Sequence, residues 1–310
     1  MSSETLLSNL SQSASNFGLI KVHGEDAESF LQNQLTNEVS NVTETSHQIT
    51  AWCSPKGRII ATFRLFKRDG AFYLSLSEDL LEHVLKKLSM YVMMSKVTLE
   101  DVTESFVHLG VSGVINQDLT NLLGDDLPSE ADSTTTINGL TVLKLADTVS
   151  RYEIFADAES SKVLIKSITA APDNHWQYLN IVAGIPNIDQ ASSEAWIPQM
   201  VNFIQVNGVD FKKGCYPGQE IVARLNYLGK TKRRMYRLLI DTDQLPAVND
   251  SITSANDKAA GKILNTAINQ DGKIEALAVM KIAEAETELK LMGNEAPITL
   301  LDLPYTVDDS

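Results

Sequence analysis

The sequence predicts an α+β fold, with two related lobes followed by a smaller C-terminal β domain. Three observations carry that reading. Apolar periods of 2 and of 3.6 are mixed along the chain without the strict strand–helix alternation of a parallel sheet. The stretch FGLIKVHG (17–24) returns as FVHLGVSG (106–113) in the shared pattern F-x-x-(I/L)-x-V-x-G, and each copy precedes a helix-like segment. After Arg233 the texture changes to short apolar runs parted by Gly, Pro, Asn and Asp, as in a small β domain.

In order along the chain, FGLIKV (17–22), QITAWC (48–53), IIATFRLF (59–66) and AFYLSL (71–76) read as strands bounded by Gly, Pro, Asp or Ser. Between the first two, Ala27, Phe30, Leu31 and Leu35 share one helical face, with Asp26 as N-cap. A second helix is expected from about Glu78 to Met93, striped by Leu81, Val84, Leu85, Leu88 and Val92. SPKG (54–57) fits a type I turn, with Pro55 second and Gly57 fourth, so it reads as a hairpin tip flanked by Lys56 and Arg58. The segment after the second repeat carries Ile115, Leu119, Leu122 and Leu123 at helical spacing. Further on, Pro217 suits the first turn of a helix with an apolar face of Ile221, Val222 and Leu225, and Gly229 suits its end. RMYRLLI, AAGKILNTAI, KIEALAVMKIAEA and ITLLDL supply the C-terminal strands. The expected division is a first lobe over 1–100, a second over 101–232 and the β domain over 233–310. Paired lobes leave a cleft of the kind where ligands bind.

At 43% hydrophobic and 21% charged, the chain has the composition of an ordinary globular protein. MSSETLLSNLSQSASN lacks a basic leader followed by an apolar run, and no later run approaches the roughly 20 apolar residues that span a bilayer. A cytoplasmic protein without membrane contact is expected, with Cys53 and Cys215 reduced. The net charge is −14, yet residues 212–237 carry eight basic residues against Glu220 alone. Such an island suits a localised anionic partner; the competing reading is a strand edge guarded by lysine and arginine.

That island contains KKGCYPGQE (212–220). Cys215 there precedes the helix expected from Pro217, where free N–H groups, the macrodipole and neighbouring lysines favour a thiolate. The competing reading is a small cysteine packed beneath the turn. His23, His47, His83, His108 and His175 form neither H-x-x-x-H nor a Cys/His cluster, so zinc is not expected. Walker A, G-x-G-x-x-G and G-x-S-x-G patterns are all missing, which removes nucleotide-binding and serine-hydrolase readings.

KKGCYPGQEIVAR resembles the K-G-C-Y-x-G-Q-E signature of the YgfZ-type folate-binding proteins, relatives of the glycine-cleavage T-protein, an aminomethyltransferase. The likeness extends through IKVHGEDAESFLQNQLTNEV near the start, the W-C-x-P-K-G-R hairpin at 52–58, YVMMSKVTLED (91–101), WQYLNIVAGIPNID (176–189) and LPYTVDD at the end. It implies an aminomethyltransferase-like fold, three domains in a ring with a C-terminal barrel. It implies tetrahydrofolate as ligand and a role in modifying some tRNAs or in maintaining the iron–sulfur enzymes that do so. Partners would be tRNA or those enzymes, met through the basic segment 230–237; no DNA contact is inferred.

Residue by residue, the resemblance places Trp176 where the family has a folate-contacting tryptophan, and Phe17 where it has a second. Phe17 keeps a ring face but no indole N–H; taken alone, both residues read as core. Cys215 becomes a nucleophile, a redox thiol or a labile metal ligand, Lys213, Gln219 and Glu220 shape its loop, and Arg224 meets a carboxylate or phosphate. Ile60 and Ala61 stand where the aminomethyltransferases carry an acidic pair, and neither moves a proton. That argues against glycine-cleavage activity and leaves enzyme status open. The rival readings are a folate-dependent one-carbon transferase with some other acid or base, and a passive adaptor.

Overall fold

The computed structural model describes residues 10–13, 16–112, 127–146, 150–162, 169–172, 174–254, 258–293 and 295–307. Two compact units emerge, and both are discontinuous in sequence. The first comprises Met1–Gln32, Glu38–Gln48 and Phe63–Asp173; the second comprises Asn33–Asn37, Ile49–Thr62 and Asn174–Ser310.

The strands up to the end of the first unit are β1 (Leu10–Ser13), β2 (Phe17–His23), β3 (His47–Cys53), β4 (Ile59–Arg68), β5 (Ala71–Ser77), β6 (Thr98–Asp101), β7 (Val107–Ser112), β8 (Thr134–Ile137), β9 (Leu140–Lys144), β10 (Arg151–Ala156) and β11 (Thr169–Ala170). They form a five-stranded sheet in the order β3-β4-β5-β2-β6 and a six-stranded sheet in the order β11-β1-β7-β10-β9-β8. The tips of β3 and β4 that flank the hairpin belong to the second unit. Both repeat copies are interior strands: β2 lies between β5 and β6, and β7 between β1 and β10. The helix-like segment after the second copy, with Ile115, Leu119, Leu122 and Leu123, lies outside the described residues.

Within the first unit the two sheets share an aromatic core. Leu19, Phe66, Ala71 and Tyr73 of one sheet meet Leu143 and Phe155 of the other, with Phe17 and Phe106 packed against them. Phe66 stacks on Tyr73 and Phe155 at centroid separations of 5.2 and 4.6 Å. Arg64 and Glu153 form a buried ion pair at 3.1 Å, and His108 stacks flat on Phe155 at 4.5 Å. Burial raises the Glu153 carboxyl, but Arg64 and then His108 override it and hold it below its ordinary range. Burial, with Arg64 second, holds the His47 imidazole at about 3.

Two helices stop earlier than their periodicity predicts. α1 is Ala27–Gln32; Leu35, expected on its face, instead bridges to Trp52 in extended backbone. The Gln32 side chain accepts from Val39 N–H at 2.8 Å and donates to the Glu38 carboxylate at 2.8 Å, folding the chain back after the helix. Asp26 does not cap it by side chain as expected; its carboxylate accepts the Lys96 N–H at 2.8 Å. α2 is Glu78–Ser89, burying Leu80, Val84 and Leu88. It ends where the Ser89 hydroxyl donates to the Leu85 carbonyl at 2.7 Å, a back-bond that competes with the helix ladder, and Met93 beyond it is left-handed.

The second unit holds α3 (His175–Val182), α4 (Gln219–Leu228) and β12 (Arg233–Ile240), β13 (Ser251–Ser254), β14 (Lys258–Ile268), β15 (Ile274–Lys281), β16 (Leu289–Leu291) and β17 (Pro297–Leu301). These six strands close a barrel in the order β12-β15-β14-β13-β16-β17, which leaves no long free edge. Alternate residues fill its interior: Leu238 and Ile240, Ile252, Ile263, and Ile274, Ala276, Ala278 and Met280. α3 lies against β14 and β15, so the other face of β15, Leu277 and Val279, is buried too. No helix among the described residues is long and apolar enough to cross a membrane.

Candidate functional site

In the second unit, the hairpin after Cys53 and the loop around Cys215 meet at their glycines. The hairpin closes through Ser54 N–H to the Arg58 carbonyl and Gly57 N–H to the Ser54 carbonyl, both 2.8 Å. Gly57 (φ +69°) and Gly218 (φ +81°) are left-handed, and a Cβ on Gly218 would stand 2.4 Å from the Ser54 carbonyl oxygen and 2.6 Å from the Gly57 Cα. Only glycine permits that approach. Gly218 caps α4, which therefore begins at Gln219; Pro217, expected in the first turn, precedes the cap because the left-handed residue after it cannot be helical.

The other end of the loop is fixed by Lys213. Its side chain is buried, and its ammonium donates to the Leu35 carbonyl at 2.5 Å and the Asn37 carbonyl at 2.9 Å. It also lies 5.5 Å from the centre of the Tyr216 ring. The receiving segment is held by its own polar side chains. The Thr36 hydroxyl donates to the Gly208 carbonyl at 2.7 Å and accepts Ala51 N–H at 2.9 Å, and the Asn37 amide donates to the Asn207 carbonyl at 2.6 Å. Sequence reasoning missed this clamp; its signal was the polar pair Thr36-Asn37 directly after an apolar helical stripe. The Gln219 amide reaches back to the Lys213 and Gly214 carbonyls at 3.4 and 3.3 Å.

Between these anchors Cys215 is exposed, whereas Cys53 is buried; both are free thiols. Desolvation pushes the Cys53 thiol up to about 12, so it stays protonated. Burial, with Cys53 and Asp210 adding, also raises the Tyr216 phenol above its ordinary value. Lys212 is exposed, with its backbone N–H on the Asp210 carboxylate at 2.6 Å. Glu220 and Arg224 are exposed one turn apart on α4. Arg58 donates to the Glu194 and Ala195 carbonyls at 3.3 and 2.5 Å, while Ile60 and Ala61 are buried.

The two aromatic candidates belong to different units. Phe17 is half-buried in the first, 4.6 Å from His108 and 6.1 Å from Phe155 by ring centroids. Trp176, in the first turn of α3 in the second, keeps 7% of its surface exposed. In the basic segment, Arg237 is committed to the buried Glu275 carboxylate at 2.7–2.8 Å, and Arg234 donates to the Val307 carbonyl at 3.1 Å.

The model of the GCVT N-terminal domain family matches residues 12–175. The tRNA-modifying protein YgfZ of Escherichia coli O6:H1 is 30% identical over 302 residues, which cover 95% of this chain and 92% of that protein. The chain belongs to the YgfZ family. The YgfZ protein of Klebsiella pneumoniae strain 342 is 29% identical over the same shares of both chains. Among solved structures, the glycine cleavage system aminomethyltransferase T of Bartonella henselae superposes with a TM-score of 0.77 at 14% identity, covering 97% of this chain and 87% of that one. The aminomethyltransferase-like fold is thus established for this YgfZ-family chain, including its closed C-terminal barrel.

Proposed function

We propose that this chain binds tetrahydrofolate and serves the modification of some tRNAs, or the upkeep of the iron–sulfur enzymes that perform it, with Cys215 as its reactive group. The observation that carries the reading is the presentation of Cys215: an exposed thiol on a loop pinned at one end by Lys213 and at the other by the Gly57–Gly218 approach. A pinned loop presents its sulfur with little orientational freedom left to lose, which favours capture of an electrophile, a second thiol or a metal centre. Gln219 supports the loop from α4, Glu220 complements that helix's first turn, and Arg224 offers a cation for a carboxylate or phosphate. The likeness to YgfZ proteins along 95% of the chain supports the partner class.

For the ligand, Phe17 is half-buried and is assigned a stacking contact, while Trp176, with 7% of its surface exposed, offers little area of its own. The Phe17 ring suits one aromatic face of a pterin or aminobenzoyl group. Bound tetrahydrofolate would supply a carrier of one-carbon units. Burial of Ile60 and Ala61 favours a supporting role over aminomethyl transfer, because no proton relay exists at those positions.

Calorimetric titration with tetrahydrofolate should give saturable binding, weakened by Phe17→Ala; a flat titration rejects the folate assignment. Alkylation near neutral pH, mapped by peptide mass, should label Cys215 well before Cys53. Equal, slow labelling of both would reject Cys215 as the reactive group.

A further inference from the structure

We infer that the exposed end of α4 and the turn after it form a docking surface for unpaired RNA, with Tyr227 as the base-stacking platform. This inference rests on the tRNA reading above for its partner class and names the side chains that would make the contact.

Solvent exposure at this place is selective. Within α4, Val222 is fully buried, yet Tyr227 and Leu228 are 67% and 85% exposed. An aromatic ring and a leucine left open to water side by side are unusual on a helix that has a core to face. The Phe211 ring meets Tyr227 edge-on at 5.9 Å, which sets the orientation of the tyrosine. Next to the pair in sequence stand the cations Lys212, beside Phe211, Arg224, one helical turn before Tyr227 and Leu228, and Lys230, Lys232 and Arg233 in the following turn and strand. All five are exposed.

The internal pairings sharpen the patch. Lys213 and Arg237 carry charge in the same stretch of sequence, but carbonyls and Glu275 engage them. The five exposed cations face only Glu220 and Asp210 as nearby acids in sequence, on a chain whose net charge is −14. Helix chemistry explains little of this, since the C-terminus of α4 carries about half a negative charge, which one lysine would complement. A guarded strand edge accounts for Lys232 and Arg233, but not for a bare tyrosine and leucine. Cations along a backbone track with an interposed ring are what a flexible polyanion with stackable bases requires. A duplex hides its base faces and would leave Tyr227 without a partner.

Fluorescence anisotropy with the full chain tests this, using an unstructured RNA oligonucleotide, a blunt RNA duplex and tRNA across a salt series. The single strand and tRNA should bind more tightly than the duplex, with log affinity falling against log salt at a slope of about −3.5 for five neutralised phosphates. Tyr227→Ala should weaken single-strand binding about tenfold or more, while Tyr227→Phe, which keeps the ring, stays within about twofold of the parent. The combined change Lys230→Gln, Lys232→Gln, Arg233→Gln should cut the slope by about 2. Retention of parental affinity by Tyr227→Ala, a duplex preferred over the single strand, or a slope indifferent to the triple change each overturns the proposal; the last two results point to a protein partner or diffuse attraction. Circular dichroism confirms folding of each variant, which exposed sites should not disturb. A chain that binds tetrahydrofolate but no RNA refutes this surface and leaves the folate assignment standing; the converse refutes the folate assignment and leaves the surface.

Discussion

Replacing Gly218 with alanine probes the closest backbone approach in the candidate site. The new methyl would lie 2.4 Å from the Ser54 carbonyl oxygen and 2.6 Å from the Gly57 Cα, where ordinary contact begins at 3.4 Å. Neither neighbour is a side-chain tip that can swing aside, so hairpin and loop must part by close to 1 Å, the shortfall against ordinary contact. Two costs add. A left-handed φ of +81° costs a non-glycine residue about 1 kcal/mol, and forced separation of packed segments costs about 1–3 kcal/mol more. A total near 3 kcal/mol lowers the melting temperature of a unit this size by about 6–12 °C. Gly214, in the same loop, is the control: nothing lies within 4 Å of its Cβ position, so Gly214→Ala should melt with the parent. Scanning calorimetry reads the difference, and the Cys215 alkylation rate should change severalfold in Gly218→Ala alone. If Gly218→Ala and the parent melt together and label equally, the hairpin does not hold the loop.

Three further outcomes are expected. Lys213→Met keeps the stem but removes charge-assisted bonds to two buried carbonyls, so denaturant titration should show a loss on the order of 3 kcal/mol; an unchanged midpoint would mean the ammonium anchors nothing. The first unit should weaken as pH falls. His47, held at about 3, remains neutral when folded, while the unfolded chain protonates it below about pH 6.5; it thus costs about 1.4 kcal/mol per pH unit between those values, and His108, also lowered, acts in the same direction. Glu153, lowered when folded, adds its own loss only below the ordinary carboxylate range, and His47→Gln should reduce the acid slope of the melting temperature by about one proton. Arg237→Ala strands the Glu275 carboxylate in the barrel wall, and thermal melts should show a loss on the order of 3 kcal/mol, relieved by adding Glu275→Gln.

The strands were legible because each alternates or runs apolar between turn-forming residues; Phe17–His23, His47–Cys53, Ile59–Arg68 and Ala71–Ser77 follow the pattern closely. The barrel announced itself at Arg233, its first strand residue. Helix ends were less legible, because a back-bond from Ser89, a side-chain loop at Gln32 and a left-handed Gly218 decide them, and periodicity registers none of these. In the site, the hairpin and the Cys215 loop each stood out alone. Their contact did not, since glycines carry no complementarity that sequence can display. Lys212 and Lys213 read identically as neighbours, yet carbonyls at Leu35 and Asn37 draw one inward and leave the other in water. Arg237 likewise counted towards a basic island until Glu275 claimed it.

The crossing of the chain between its two units constrains how it can be made. Residues 33–37 and 49–62 leave the ribosome early but find their fold-mates only after residue 174 has been synthesised. Lys213 reaches Leu35 across a separation of 178 positions. Nascent chains therefore carry this hairpin without its fold-mates while residues 63–173 are made, a slow, long-range closure that invites chaperone binding. No single cut in the gene leaves both units intact.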